Sequence, residues 1–201
     1  MGDVDFVVDS EVYPPSDDTY LLLDAIEVNE DDIFMEVGCG SGIITLAAAQ
    51  ACQQVFATDV SLNAVRNTIQ NLRRNSLGSR CSVVQTDILS SFRPRAHFSV
   101  IVFNPPYLPQ DDISTGMDHA FVGGPSGIET TERFIREGIN HLHENGKLYV
   151  IASSLSDMNR IKSTMKTCSL ITRVVASSSF FFETLSVLEG THVKDRTETV
   201  L

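Results

Sequence analysis

Residues 33–59 read IFMEVGCGSGIITLAAAQACQQVFATD, and this stretch decides the fold. IFMEV (33–37) is a short apolar run typical of a buried strand, and it leads directly into the glycine-rich turn GCGSG (38–42). Residues 43–51 predict a helix, and VFATD (55–59) predicts a second strand. Because a helix separates the two strands, we expect a crossover connection and a parallel pair.

The same alternation continues through the rest of the chain. Ser16 can cap a helix whose apolar residues lie between Tyr20 and Ile26. Further helices are predicted at 62–75, 129–143 and 155–167, and further strands at 81–87, 98–103 and 147–153. Two last strand patterns, 170–178 and 180–189, are too close in sequence to enclose a helix, which predicts an antiparallel hairpin. We therefore expect one α/β domain over residues 1–201, with a mostly parallel sheet of seven strands.

The composition is that of one globular domain. The 201 residues are 42% hydrophobic and 20% charged, which is ordinary for a chain that buries a core. No apolar stretch approaches the ~18 residues that span a bilayer, and the amino terminus carries acids where a secretory signal carries bases. We expect a cytoplasmic protein, with a nuclear location also open. Four cysteines without C-x-x-C spacing predict reduced thiols, three of them in the core, and no metal site: Cys39, Cys52, Cys81 and Cys168.

The net charge of −11 is unevenly distributed. The first 65 residues contain 13 of the 26 acids and no lysine or arginine. Affinity for nucleic acid comes largely from clustered basic residues, which neutralise phosphates. This distribution argues against a nucleic-acid partner.

Three candidate motifs lie at the carboxyl ends of predicted strands. They are the glycine turn after the first strand, Asp59 at the end of the second, and NPPY (104–107) after the fourth. In open α/β sheets, ligands bind outside the carboxyl ends of the strands. We therefore expect these motifs to form one site.

Glycines at alternate positions of the turn can bring backbone amides close to a ligand at the start of a helix: Gly38, Gly40 and Gly42. A dinucleotide fingerprint would require glycine at position 43, where Ile43 stands, and the Gly-Lys-Ser/Thr of a P-loop is absent. The turn therefore does not indicate a pyrophosphate ligand.

Acidic residues flank the turn. Glu36 precedes it, and Asp59 is placed to accept both hydroxyls of a ribose. This arrangement suits an adenosyl ligand without a pyrophosphate. Asp87 could accept a hydrogen bond from an adenine amine or could cap a turn, and the sequence leaves both interpretations open.

The NPPY stretch can orient a planar amide or amine. Asn-Pro and Pro-Pro also end strands in unrelated proteins, so the four residues alone decide little. The Asn104 side-chain oxygen and the Pro105 carbonyl could each accept one N–H of the acceptor group. Proline restricts its own backbone and that of the preceding residue, which would preorganise both oxygens. The Tyr107 ring could stack on the planar group.

Together these motifs resemble class I S-adenosylmethionine-dependent methyltransferases, and among them the HemK-like protein-glutamine methyltransferases. The chain is most similar to the compact eukaryotic branch that modifies the class 1 translation termination factor. Phe121 stands where relatives carry tryptophan. The resemblance covers nearly the whole chain and rests on VYPPSDDTYLLLDAI (12–26), EVGCGSG (36–42), TDVS (58–61), NPPY (104–107), GGPSGIE (123–129) and ETLSVLE (183–189).

The resemblance implies a Rossmann-like domain with strand order 3-2-1-4-5-7-6 and S-adenosyl-L-methionine as the cofactor. It implies methyl transfer to the N5 atom of the glutamine in a Gly-Gly-Gln sequence of the termination factor. It assigns cofactor binding to Thr19, Glu36, Gly38, Gly40, Gly42, Asp59, Val60, Asp87, Ile88 and Asn104. It assigns the catalytic role to Asn104, Pro105 and Tyr107, with Pro106 as a further substrate contact.

The resemblance also implies partners. Relatives act as heterodimers with a small zinc-binding activator subunit shared among several methyltransferases, and strand 81–87, as an apolar sheet edge, is its expected docking site. The substrate is the termination factor, alone or with its GTPase partner.

Three other functions remain open from the residues. NPPY can equally hold the exocyclic amine of adenine, as in an adenine-N6 nucleic-acid methyltransferase, although no basic groove or target-recognition domain is evident. An acidic surface would suit a basic tail, as in lysine methylation of a histone. A non-catalytic subunit that keeps the cofactor fold is the third.

Overall fold

A seven-stranded sheet forms the centre of the computed structural model, which describes residues 4–94, 97–106 and 128–193. The strands are β1 Ile33–Val37, β2 Gln54–Asp59, β3 Cys81–Gln85, β4 Phe98–Phe103, β5 Leu142–Ser153, β6 Leu170–Ser179 and β7 Thr184–His192. Their order is β3-β2-β1-β4-β5-β7-β6. Strands β1 to β5 pair in parallel, whereas β7 pairs antiparallel with β5 and β6. The predicted order and the carboxyl-terminal hairpin are confirmed.

Within the described ranges, five α-helices cover the two faces of the sheet. They are α1 Asp17–Ala25, α2 Ile43–Ala51, α3 Leu62–Arg74, α4 Glu129–Gly138 and α5 Met158–Thr167, with a short 3-10 helix at Gly78–Arg80. Helices α1, α2 and α3 contribute to one apolar cluster, and α4 and α5 contribute to the other. No helix in these described ranges is long and apolar enough to cross a membrane.

Alternation along the central strands supplies both clusters. In β4, Val100 and Val102 face the cluster with α1 to α3, whereas Ile101 and Phe103 face the cluster with α4 and α5. Successive side chains of a strand point to opposite faces, so a strand buried on both faces is apolar throughout. This is why IFMEV and FSVIVF are nearly continuous apolar runs.

The helix predicted at 129–143 is too long, because α4 ends at Gly138 and β5 begins at Leu142. A Cβ at Gly138 would lie 2.9 Å from Leu148 Cδ1, so the end of the helix packs directly against β5. Leu142 then pairs with Phe98 at the start of β4. The apolar spacing of 134, 135, 138 and 142 fits a helix, but tertiary pairing places Leu142 in a strand.

Three other predicted boundaries are corrected. Strand 81–87 ends at Gln85, and residues 86–91 form a turn in which the hydroxyls of Thr86, Ser90 and Ser91 bond to one another. Helix α5 begins at Met158 rather than 155, because Asp157 caps it by accepting from the Arg160 N–H. Strand β7 begins at Thr184 rather than 180.

All four cysteines are free thiols, but only Cys39 and Cys52 are fully buried. Cys81 and Cys168 are partly exposed and pack against the two apolar clusters. Two, not three, are therefore core residues.

Candidate active site

The glycine turn between β1 and α2 packs closely against the protein at Gly38 and Gly42 and is open at Gly40. Gly38, Gly40 and Gly42 have φ values of 67°, 48° and 85°. A Cβ would lie 2.9 Å from Phe103 Cε2 at Gly38 and 2.8 Å from Thr68 Oγ1 at Gly42, whereas at Gly40 it would meet nothing within 4 Å. The left-handed backbone and the two close contacts require glycine. The open space at Gly40 lets a ligand approach the start of α2.

Asp59 is fixed against this turn at the end of β2. Its Oδ2 accepts from the Gly40 N–H at 3.0 Å, and its Oδ1 accepts from the Ser61 N–H at 2.8 Å. Burial raises the pKa of the Asp59 carboxyl, and the backbone N–H donors oppose that rise. A carboxylate has about four acceptor positions, so two remain for the hydroxyls of a ribose. Val60, the next residue, is 72% exposed beside it.

Glu36 lies beneath the turn. The Thr45 hydroxyl of α2 donates to its carboxyl, and the residue is 4% exposed. Burial raises the pKa of the Glu36 carboxyl to about 8. In the structure Glu36 therefore joins β1 to α2 under the turn, and its contact with a cofactor stays a prediction.

Asp87 and Ile88 follow β3. The exposed Asp87 carboxylate accepts from Arg133 Nη2 at 2.8 Å, so its side chain pairs with α4 instead of capping a turn. Ile88 is buried and has a φ of 50°. A β-branched residue in the left-handed region is unusual and costs on the order of 1–3 kcal/mol. Such strain clusters at ligand sites, which is consistent with the predicted cofactor contact.

Asn104 follows β4, and among the described residues only one of its two polar side-chain atoms has a hydrogen-bond partner. Its Nδ2 donates to Thr19 Oγ1 at 3.4 Å. Its Oδ1 is buried and has no hydrogen-bond partner among the described residues. Leaving a buried acceptor unbonded costs about 1–3 kcal/mol, so this oxygen is ready for a donor from a ligand.

The neighbours of Thr19 determine which way the Asn104 amide faces. The Thr19 hydroxyl donates to Asp18 Oδ1 at 3.0 Å, and Asp18 is 3% exposed. Because that proton goes to the carboxylate, the Thr19 oxygen can only accept from Asn104, which must present its NH₂ group. The arrangement therefore leaves the Asn104 oxygen as the acceptor atom of the side chain that faces away from Thr19. Asp18 was not among the predicted site residues, although it stands directly before Thr19.

The rest of the NPPY stretch is described only in part. Pro105 is buried and Pro106 is half-buried directly after Asn104. Tyr107 lies outside the described residues, as do Phe121 and most of GGPSGIE. Their assigned roles stay predictions.

Asparagines on α3 hold the glycine turn from behind. The side-chain amides of Asn67 and Asn71 donate to the Ser41 carbonyl at 3.2 and 2.8 Å. Both also donate to the Val7 carbonyl, at 3.0 and 2.7 Å. These side chains thus join the turn to residues 5–9, which we call the amino-terminal segment.

The contact continues along the helix. Asn67, Asn71 and Asn75 accept from the backbone N–H groups of Asp9, Val7 and Asp5 at 2.6, 3.0 and 3.0 Å. We call these three side chains the asparagine ladder. Their spacing of four residues places them on one helical face, and that spacing is a signal that could have revealed the ladder from the sequence.

Comparisons with known proteins show the family of the chain. The model of the methyltransferase small domain family matches residues 15–179. The chain is 34% identical over 195 residues to the human methyltransferase HEMK2, with 90% of each protein covered. It is 31% identical over 185 residues to a Methanocaldococcus jannaschii protein with the provisional name protein N5-glutamine methyltransferase, covering 90% of this chain and 91% of that protein.

A solved structure shares the fold. It is the E. cuniculi Mtq2–Trm112 complex, described as responsible for methylation of the eRF1 translation termination factor. The TM-score is 0.67 at 24% identity, with 91% of this chain and 99% of that chain covered.

Proposed function

Because the chain belongs to the methyltransferase small domain family, we propose that it methylates the N5 atom of the Gly-Gly-Gln glutamine in a translation termination factor. The observation that carries the proposal is the buried Asn104 oxygen beside the glycine turn, for which residues 4–94, 97–106 and 128–193 supply no hydrogen-bond donor. The names of the relatives support glutamine as the acceptor and a termination factor as the substrate.

The residues around the turn fit S-adenosyl-L-methionine. Gly40 has open space on its Cβ side, and the Asp59 carboxylate is oriented by two backbone donors beside it. When bound, S-adenosylmethionine supplies a methyl group on a positively charged sulfur. Asp59 would accept the ribose hydroxyls, and the turn would approach the ligand closely.

The protein must orient the substrate, because an amide nitrogen is a poor nucleophile. Its lone pair is delocalised into the carbonyl group. The Asn104 oxygen and the Pro105 carbonyl each accept one N–H of the glutamine amide, which aims the nitrogen lone pair at the methyl group. Thr19 and Asp18 hold Asn104 in this orientation before the substrate arrives. The amide nitrogen would gain the methyl group as the methyl–sulfur bond breaks and S-adenosylhomocysteine leaves, and it would release one proton to water.

A small activator subunit would dock at the edge of the sheet formed by β3. Strand β3 is at one end of the strand order, and Val83 and Val84 are partly exposed on it. An apolar edge with unpaired backbone groups favours pairing with a strand of another chain. The complex of the Mtq2 neighbour with Trm112 supports a partner of this type, and we propose that the partner binds zinc, as the resemblance implies.

The test is a methylation assay with the chain co-expressed with candidate activators. Labelled S-adenosylmethionine is supplied with a termination factor carrying Gly-Gly-Gln, and mass spectrometry locates the methyl group. We expect the label on that glutamine and none on a factor whose glutamine is replaced by alanine. Label on lysine only, or on DNA in a parallel reaction, would overturn the proposal. The DNA reaction is included because the Asn104 oxygen could also accept a hydrogen bond from an adenine amine.

A further inference from the structure

Three consecutive phenylalanines are exposed at the turn between β6 and β7. Phe180, Phe181 and Phe182 have 39%, 90% and 83% of their surface exposed. The rings of Phe181 and Phe182 pack edge to face with their centroids 4.6 Å apart. We call these three residues the aromatic tip. Contiguous exposed aromatic surface of this kind marks interaction sites in soluble proteins.

The backbone of the aromatic tip is held in place. The Phe180 N–H donates to the Glu183 carbonyl at 2.7 Å, which closes the turn. The Glu183 carboxylate accepts from the Ser153 hydroxyl at 2.7 Å, and the Thr184 N–H donates to Ser154 Oγ at 2.9 Å. A preformed turn loses little conformational freedom when it binds, which favours a docking role.

The aromatic tip and Asn104 lie beyond the same end of the sheet, where β4 and β5 have their carboxyl ends. Val150 of β5 pairs with Phe103, and Ser153 of β5 pairs with Leu185 at the start of β7. The tip therefore extends past the level of Asn104 by roughly 10 Å, at a lateral distance on the order of 10–15 Å, given the spacing of residues and strands in a sheet. A molecule much larger than an amino acid is needed to reach both places.

The tip is far from the edge proposed for the activator. Strands β3 and β6 are at opposite ends of the seven-stranded order, which separates them by about 29 Å at the usual strand spacing. An activator docked on β3 would leave the aromatic tip uncovered. A protein with its glutamine at Asn104, by contrast, would extend over the carboxyl ends of the strands, where the aromatic tip lies.

We propose that the aromatic tip docks the protein substrate, by inserting Phe181 and Phe182 into an apolar depression on its surface away from the Gly-Gly-Gln sequence. This inference rests on the proposed function. The hydroxyls of Ser154 and Ser179 both bond to Thr184 at the base of the turn, so polar groups stand beside the exposed rings. An apolar centre with a polar rim is the usual anatomy of a protein interface, and aromatic residues are its usual anchors.

The test compares two substrates with the activator-bound chain. The variant carries Phe181→Ser and Phe182→Ser, and the substrates are the full-length termination factor and a short Gly-Gly-Gln peptide. We expect kcat/KM to fall at least tenfold on the factor, through KM, and to stay within twofold on the peptide. The matched control is Ile171→Ser, which removes a 50% exposed apolar side chain near the other end of β6. It should change neither value.

Three results would overturn the inference. They are an unchanged kcat/KM on the factor, equal losses on factor and peptide, and a wild-type dimer that the double variant abolishes in sedimentation velocity. The last result would assign the tip to contacts between copies of this chain. A wild-type enzyme inactive on both substrates would instead overturn the proposed function, and the docking inference with it.

Discussion

The amide nitrogen of Asn104 donates to the hydroxyl oxygen of Thr19 across 3.4 Å, and the amide oxygen of the same group is buried with no hydrogen-bond partner in the part of the chain that the structure describes. The first residue follows β4, and the second lies in the first turn of α1. A residue 85 positions earlier in the chain therefore sets the orientation of the Asn104 side chain.

Asn104→Ala should abolish methyl transfer, because the glutamine amide loses an acceptor that aims its lone pair. Cofactor affinity should stay within about threefold, since the glycine turn and Asp59 belong to other loops. Single-turnover assays and calorimetry measure the two effects separately. Retained turnover would remove Asn104 from the catalytic role.

Thr19→Val should lower kcat roughly fivefold to tenfold, because it removes a hydrogen bond worth about 1 kcal/mol that orients Asn104. Thr19→Ser retains the hydroxyl and should restore most of kcat. Steady-state kinetics with both substrates varied would distinguish this effect from a cofactor contact. A change confined to the KM for S-adenosylmethionine would support the cofactor assignment of Thr19 instead.

Asp59→Ala should weaken S-adenosylmethionine binding by roughly a hundredfold, because hydrogen bonds to a charged group contribute about 1.5–3 kcal/mol. Asp59→Asn keeps one acceptor oxygen and should lose less affinity. Calorimetry measures both variants, and thermal unfolding checks that the turn remains folded without the Gly40 contact. Unchanged affinity in the alanine variant would remove Asp59 from the ribose site.

Asn71→Ala should lower the free energy of unfolding by about 2–3 kcal/mol, because it leaves the Ser41 carbonyl and the backbone of Val7 with fewer partners in a buried site. Asn75→Ala is the matched control at the exposed end of the ladder, and about 1 kcal/mol or less is expected there. Urea titration gives both values. Equal losses of unfolding free energy in the two variants would mean that the contact of Asn71 with the glycine turn adds nothing to stability.

Glu36 should make stability fall with rising pH between about 4.5 and about 8. The folded chain keeps a proton on Glu36 in this window, whereas the unfolded chain has released it, so rising pH favours unfolding. The contribution is roughly 1 kcal/mol per pH unit. Glu36→Gln cannot ionise, so its unfolding free energy should depend less steeply on pH over this window. Parallel pH curves for the two proteins would contradict the predicted protonation.

The sequence predicted the layers of the fold well because the core strands are buried on both faces. The bounds of β1, α2 and β4 match their predicted ranges, since each is a mainly apolar run between glycine or polar residues. The end of α4 could not be predicted, because Leu142 fits helical spacing and only its pairing with Phe98 places it in β5.

The sequence indicated which residues belong to the candidate site, but it did not indicate which side chains contact one another there. Glycine and proline act through backbone conformation, which is local, so the turn and Asn104 were evident. The partners of Asn104 and Glu36 come from α1 and α2, and no local pattern shows that Thr19 or Thr45 will meet them. The ion pair between Asp87 and Arg133 could not be predicted for the same reason, because no local pattern indicates it.

The asparagine ladder has a consequence for how the chain matures during synthesis. The amino-terminal segment leaves the ribosome before α3, so the backbone groups of Val7 find their partners only after Asn71, 64 residues later, has been made. Contacts between distant residues form late, because a long loop must first be closed. The cofactor turn is therefore clamped only after α3 has been translated and folded, and a nascent chain that ends before α3 holds a glycine turn without its support.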